Sequence, residues 1–292
     1  MLQAELSSLV SIIIPSRYQS TRLPGKPLIK IAGIEMIKRV ADIASFVCVN
    51  STNCDYTVAT DDLRIFDFCQ QEKIPVVMTR EDCTNGTERC WDAIIKKSVR
   101  PELIINMQGD NPICPPTLIQ ELIESWRNSS GQNVDLFTPS VQLSWEEYDR
   151  IIETKKNTPY SGTTVLADRD NFALAFSKSV IPVIRNIDKA KKMLPISPVR
   201  RHIGLYAYTF ESLRQYIELP QSDYELNYVE GLEQMRFLTN KMRIKVVPTN
   251  YQNKKTTSGI DSPEDIKRVE EIISIYGDPF KGNSECSNIS AE

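Results

Sequence analysis

"IIIPSRYQSTRLPGKPL", Ile12 to Leu28, runs an apolar, β-branched segment straight into a loop that carries Arg17, Arg22 and Lys26 but only one glycine. Open α/β sheets bind their ligands outside the carboxyl ends of the strands, which is where this loop falls if the apolar run is a first strand. Side-chain cations combined with backbone donors suit a polyphosphate, because each oxygen then receives a charge-assisted hydrogen bond. Neither a GxGxxG nor a GxxxxGK[ST] pattern is present, so the two common phosphate-loop readings fail. A solvated basic loop ranks second, since three cations in one short loop are more than solubility requires.

Outward from this loop, the first half alternates short β-branched runs with amphipathic stretches, the pattern of strands joined by crossover helices in a mainly parallel sheet. Strands are expected at Leu9 to Ile14, Tyr56 to Ala59, Pro75 to Met78 and Leu103 to Met107. "EMIKRVADIASFV", "DDLRIFDFCQQE" and "TERCWDAIIKKS" space their apolar residues by three and four, as helices lying on a sheet do. The segments following the strands, "PSRYQSTRLPGKP", "TDD", "TREDCTNGTER" and "QGDNP", are all polar and charged, which places the chemistry there. From about residue 134 the order changes to strands at "VLAD", "FALAFS" and "HIGLYAY", helices at Phe210 to Glu218 and Asn227 to Leu238, a strand "RIKVVP" and a helix "SPEDIKRVEEIISIY". Ser262 is the expected N-cap of that helix and Pro263 its first residue. The polar tail after Gly277 is expected to fray.

With 292 residues, 41% hydrophobic and 25% charged, the chain can bury a substantial core. Its longest apolar runs fall far short of the roughly 18 to 20 residues that span a membrane, and the N-terminus lacks the pattern of a secretory signal, so a cytoplasmic location is expected. A net charge of -3 offers no basic field for nucleic acid. Seven cysteines without CxxC spacing fit reduced thiols, with Cys48, Cys54, Cys69, Cys83, Cys90 and Cys114 as packing residues.

Two carboxylates stand out. Asp110 follows the apolar strand of "INMQGDNP", and Asp261 precedes the capped helix in "TTSGIDSPEDI". Each alone is more simply a turn former or a helix-start acid. Together they could share one or two magnesium ions around a triphosphate, since magnesium prefers oxygen donors and accompanies phosphates. The single histidine, His202, lies in "RRHIGLYAY", where Arg201, His202 and Tyr206 place polar groups along a strand and residues two or four apart share a face.

In order, "SRYQSTRLPGKPL", "TREDCTNGTER", "MQGDNP", "RRHIGLYAY", "LEQMRFL" and "SGIDSPEDIKRV" resemble the motif series of the 3-deoxy-manno-octulosonate (Kdo) cytidylyltransferases, over nearly the whole chain. The resemblance implies an α/β, Rossmann-like (GT-A-like) nucleotidyltransferase fold, with a mostly parallel central sheet, flanking helices and a smaller mixed α+β part for sugar binding and dimerisation. It implies one domain over residues 1–276, with a nucleotide-binding part at about 9–133, a sugar-binding and dimerisation part at about 134–276, and a flexible tail at 277–292. The implied reaction makes CMP-Kdo and pyrophosphate from CTP and Kdo with magnesium, for lipopolysaccharide, in a homodimer. By residue, Arg17, Arg22 and Lys26 would hold the CTP phosphates, and Arg80, Gly86, Thr87 and Glu88 the cytosine and ribose. Asp110 and Asp261 would bind magnesium, and Gln108, Lys178, His202, Tyr206, Glu233 and Gln234 would meet the sugar acid. The catalytic set is then Asp110, Asp261, Lys26 and Arg17.

The chain departs from the family pattern at Asn111, where the family has Glu, at Cys83 and Asn85, near which it has His, and at Lys178 in "FSK", where it has Arg. Lysine keeps the charge but lacks the bidentate fork that arginine offers a carboxylate. These changes leave open a modified acceptor, such as an amino-substituted Kdo. A nucleotide-binding partner without catalysis is a second alternative, against which Asp110 and Asp261 argue.

Overall fold

The computed structural model describes residues 9–19, 23–129, 131–250 and 259–278. It divides into two compact units, residues 1–120 with 251–292 and residues 121–250.

In the first unit β1 (Val10–Ser16) is buried at every position. A short hairpin, β2 (Lys30–Ile31) and β3 (Ile34–Glu35), leads into α1 (Met36–Val49). Then come β4 (Cys54–Thr60), α2 (Leu63–Gln71), β5 (Val76–Met78), α3 (Gly86–Ile94), β6 (Leu103–Met107) and α4 (Pro116–Arg127), which ends in the second unit. β1 pairs in parallel with β4 and β6, and β4 in parallel with β5. A parallel sheet covered on both faces requires near-continuous apolar strands, which explains why β1 and β6 show no polar alternation. The expected strands and helices of this half all form, with β1 and β4 longer than expected. Asp62 and Asn85 cap α2 and α3 by accepting from the backbone N–H groups of Arg64 and Glu88.

In the second unit the chain forms β7 (Leu136–Gln142), α5 (Trp145–Asn157), β8 (Thr163–Ala167), β9 (Ala173–Ser177), α6 (Ile187–Met193), β10 (Arg200–His202), β11 (Leu205–Thr209), α7 (Phe210–Glu218), α8 (Met235–Thr239) and β12 (Ile244–Pro248). β7 pairs antiparallel with β10 and β11 and parallel with β12, while β8 pairs antiparallel with β10 and β9. The expected single strand over "HIGLYAY" is instead split into β10 and β11. The helix expected over Asn227 to Leu238 shrinks to α8, because Gly231 takes φ +63° and turns the chain back, with its N–H donating to the Leu226 carbonyl. α4, α5 and β7 were not among the expected elements, although Ser144 and Glu147 form a full capping box at the start of α5. β7 escapes a propensity reading because Pro139 sits in its middle.

The chain returns to the first unit with α9 (Pro263–Tyr276), capped by Ser262 as expected. Ile260, Val269 and Ile273 close a core with Ile31, Met36 and Ile113. The C-terminal segment therefore belongs with the first unit, not with the part beginning near residue 134. Fraying does not begin at Gly277 either: Arg39, 1% exposed on α1, makes two hydrogen bonds of 3.2 and 3.0 Å to the Asp278 carboxylate. The rest of the expected tail lies outside the described residues.

Cys69, Cys83, Cys90 and Cys114 are buried, and burial pushes the Cys69 and Cys114 thiols up to about 12, which suits packing. The Cys48 and Cys54 sulfurs, half-buried, meet at 2.7 Å as free thiols. Among the described residues no helix is long and apolar enough to cross a membrane.

Candidate active site

In the first unit the opening loop turns on Gly25. Its φ of +69° suits glycine, and a Cβ there would lie 3.0 Å from the Tyr18 ring. The Gly25 N–H donates to the Tyr18 carbonyl at 3.1 Å, and a 3-10 turn over Lys26–Leu28 follows, with Pro27 buried. This geometry points the Lys26 side chain, 15% exposed, at two carboxylates: Nζ donates to Asp110 at 2.9 Å and to Asp261 at 3.1 Å. Two acids separated by 151 residues in the chain thus share one ammonium.

Both acids are held by their backbones. The Ile260 N–H donates to the Asp110 carbonyl at 2.9 Å, and the Asp261 N–H donates to Asp265 at 2.9 Å, within the cap of α9. At Gly259 a Cβ would come within 2.6 to 2.9 Å of the Asp110 carboxylate, so a larger residue there would have to push that carboxylate from its place beside Lys26. Gly109 is similarly constrained, its Cβ position 3.0 Å from the Pro15 carbonyl at the end of β1. The Ser16 Oγ and Asn111 Oδ1 atoms are buried without a hydrogen-bond partner among the described residues.

Arg17 is exposed after β1, and Arg22 lies outside the described residues. Arg80 ion-pairs with Asp92 at 3.2 Å and Asp82 at 3.4 Å. Glu88 accepts the Thr84 N–H at 2.8 Å, just ahead of the Asn85 cap of α3, and Thr87 is buried beside Asn106. Gln108 donates to Asn106 at 3.3 Å, and its amide stands 3.2 Å from where a Gly86 Cβ would be, a tight contact between the start of α3 and the end of β6. The sequence reading missed Arg89, 3% exposed, which joins Asp61 at 2.6 Å and Thr79 at 2.5 Å and ties the ends of β4 and β5 to α3. Its position in "TREDCTNGTER" was the available signal.

In the second unit His202, Tyr206 and Gln234 come together. His202 packs edge-on to Phe176 with ring centroids 5.0 Å apart, and 5.7 Å from Tyr206. The Thr138 hydroxyl donates to the Leu205 carbonyl at 2.8 Å, so it accepts from His202 Nε2 at 2.8 Å and leaves Nδ1 as the acceptor of a neutral ring. Tyr206 donates to Gln234 Oε1 at 3.2 Å, while Gln234 Nε2 is buried with no hydrogen-bond partner among the described residues. Glu233 and Lys178 act on this cluster through their charges. Burial chiefly, then the Glu233 charge, pushes the Tyr206 phenol well up, and burial with the Lys178 charge holds His202 down at about 3. The Lys178 backbone is fixed by Glu230, which accepts its N–H at 2.7 Å, and by Lys155, which donates to its carbonyl at 2.6 Å.

A histidine kept neutral in the fold must be charged by unfolding below its ordinary value of 6.5, so it lowers stability progressively as pH falls from about 6.5 towards 3. Its share of the slope approaches about 1.4 kcal/mol per pH unit. Chemical unfolding of the wild type and His202→Gln between pH 7 and 5 should show a shallower loss in the variant; equal slopes would mean that His202 titrates normally.

The residues thus brought together, a lysine between two aspartates at the ends of β6 and before α9, answer to known proteins. A cytidylyltransferase family model matches residues 11–244. The chain belongs to the cytidylyltransferase family. It is 41% identical to the 3-deoxy-manno-octulosonate cytidylyltransferase of Maricaulis maris (strain MCS10), over 92% of this chain and 98% of that protein. It is 35% identical to the 8-amino-3,8-dideoxy-manno-octulosonate cytidylyltransferase of Shewanella amazonensis (strain ATCC BAA-1098 / SB2B), over 91% and 99%. The structure of CMP:2-keto-3-deoxy-manno-octonic acid synthetase in complex with CTP superposes with a TM-score of 0.76 at 30% identity, covering 91% of this chain and 99% of that one. Within the family the expected Rossmann-like α/β fold holds, with the parallel strands in the first unit and the mixed sheet in the second.

Proposed function

We propose that this cytidylyltransferase transfers CMP from CTP to the anomeric hydroxyl of Kdo or a Kdo-like 3-deoxy-ulosonic acid, releasing pyrophosphate. The observation that carries the reading is the Lys26 ammonium shared by Asp110 and Asp261 at the carboxyl end of the parallel strands. In one in-line displacement the sugar oxygen bonds to the α-phosphorus, the bond from that phosphorus to the pyrophosphate oxygen breaks, and the hydroxyl proton is lost to solvent. Positioning and electrostatics suffice for such chemistry, and no side-chain nucleophile is needed.

Asp110 and Asp261 fit magnesium. Both are oxygen donors already arranged about one cation, the ammonium, at 2.9 and 3.1 Å. Among the described residues no group of three or more acidic, histidine or cysteine side chains forms a metal site, so substrate phosphates would complete the coordination. Magnesium would supply charge neutralisation at the phosphates. Lys26 and Arg17 would bind triphosphate oxygens; Arg80 and the Gly86 to Glu88 turn would border the base and ribose. His202 and Tyr206, kept neutral, would hydrogen-bond acceptor hydroxyls, and Lys178 would attract its carboxylate. A cytoplasmic homodimer working in lipopolysaccharide synthesis completes the proposal, on the strength of the family resemblance.

A second reading, the same transfer to an amino-substituted acid, is favoured by Lys178 and by likeness to the Shewanella amazonensis protein. Pyrophosphate release measured with each nucleotide and a panel of ulosonic acids tests both. CTP should lead, with UTP closest behind, because exchanging the 4-amino donor for a carbonyl leaves site groups mismatched. ATP as the best substrate would sink the assignment.

A further inference from the structure

Asp110 and Asp261 already have a cation, and it belongs to the chain. Lys26 Nζ donates to Asp110 Oδ2 at 2.9 Å and to Asp261 Oδ1 at 3.1 Å, so one positive charge lies against two carboxylates and balances only one of them. The Lys26 backbone is fixed: its N–H donates to the Leu23 carbonyl at 3.1 Å and its carbonyl accepts the Ile29 N–H at 3.2 Å, in a turn whose Pro27 is buried. The side chain is a flexible stem, so the ammonium can leave the acids without moving the turn. The acids cannot follow it, because the Asp110 carbonyl accepts the Ile260 N–H and the Asp261 N–H donates to Asp265.

We propose that Lys26 is an internal counter-ion that keeps a divalent cation off Asp110 and Asp261 until a triphosphate draws the ammonium away, so that metal and nucleotide enter together. The proposal rests on the cytidylyltransferase reading of this site and adds an order of binding to it. A divalent cation on these carboxylates would stand a few ångströms from the ammonium, and like charges at that distance repel. Among the described residues no third acidic, histidine or cysteine side chain completes a metal group with the two acids to offset that repulsion. A triphosphate removes it by exchange: its oxygens take the ammonium and the magnesium they carry takes the carboxylates, so opposite charges stay paired throughout. In the absence of nucleotide the ammonium also relieves the repulsion between the two acids.

The test measures manganese binding to the full chain by electron paramagnetic resonance, at low salt and with neither nucleotide nor acceptor present. Lys26→Met, which keeps the stem and removes the charge, should bind manganese about tenfold or more tightly than the wild type, since a unit charge a few ångströms from a divalent ion has at least that effect even at the dielectric of water. Lys26→Arg should stay as weak as the wild type, and adding Asp110→Asn to Lys26→Met should abolish the gain. Equal manganese affinity in the wild type and Lys26→Met overturns the proposal. A measurement on the wild type alone covers the case of a variant that misfolds. Magnesium at a concentration that fills the site should speed acetylation of Lys26, read by peptide mass spectrometry, because the ammonium has then lost its carboxylates. Unchanged acetylation would mean that metal and ammonium share the acids, and the proposal fails. Pyrophosphate release from CTP is assayed separately: its absence defeats the cytidylyltransferase reading, while the exclusion of metal by Lys26 is decided by manganese alone.

Discussion

Asp110→Asn and Asp261→Asn each lower kcat about a thousandfold or more while the protein stays folded. Each carboxylate faces the same cation in the structure, at 2.9 and 3.1 Å, and the amide keeps the shape while removing the charge. Charge stabilisation by a metal in such a site is worth several kcal/mol in the transition state, and about 1.4 kcal/mol is tenfold in rate. The Asp110 side chain is 30% exposed and that of Asp261 46%, so neither is a core group whose loss unfolds the chain. Pyrophosphate release against magnesium concentration, with thermal unfolding as the control for folding, checks the result. Magnesium-dependent turnover at the wild-type level in both variants would remove these residues from the metal site, and Lys26 would then be a phosphate-binding lysine that carboxylates happen to neutralise.

The second large effect is on stability. Asp278→Ala costs about 3 to 5 kcal/mol, because it leaves the Arg39 guanidinium charged, buried and short of two hydrogen bonds. The side chains are 1% and 5% exposed, so water cannot make up the loss. Arg39 also donates from Nε to the Ile31 carbonyl at 2.8 Å, and the pair thus fastens Asp278, just past the C-cap of α9, to α1 and the β2 hairpin; α9 is the helix that follows Asp261. Arg39→Met alone strands the Asp278 carboxylate in turn. Combining the two substitutions should cost much less than their sum, since neither charge is then left alone. Urea unfolding of the two single variants and the double variant measures this. A single-variant cost below about 1 kcal/mol would show that the pair is screened and contributes like a surface ion pair.

Part of the candidate site was legible because its signals are local. Arg17 and Lys26 stand in one loop after one strand, and Asp110 ends another; strand periodicity and loop polarity suffice to find them. The pairing of Asp110 with Asp261 was visible only as two similar acids. What brings them together is Lys26, the close approach of Gly259 to the Asp110 carboxylate, and an Ile260 hydrogen bond to the Asp110 backbone, none of which has a sequence period. Arg89 was hidden for a related reason: an arginine in a polar loop looks solvated until Asp61 and Thr79 are found around it.

The sequence by itself determined the parallel strands of the first unit, the helices that cross between them and the start of α9, because periodicity, capping and uninterrupted β-branched runs are written into neighbouring residues. Only the tertiary structure decided that α9 and Ile260 pack with the first unit, that Asp278 is buried against Arg39, that Gly231 cuts a long amphipathic run down to α8, and that β7 carries Pro139 through a sheet. Each of these is fixed by partners far away in the chain, whose burial and hydrogen bonds outweigh local preference.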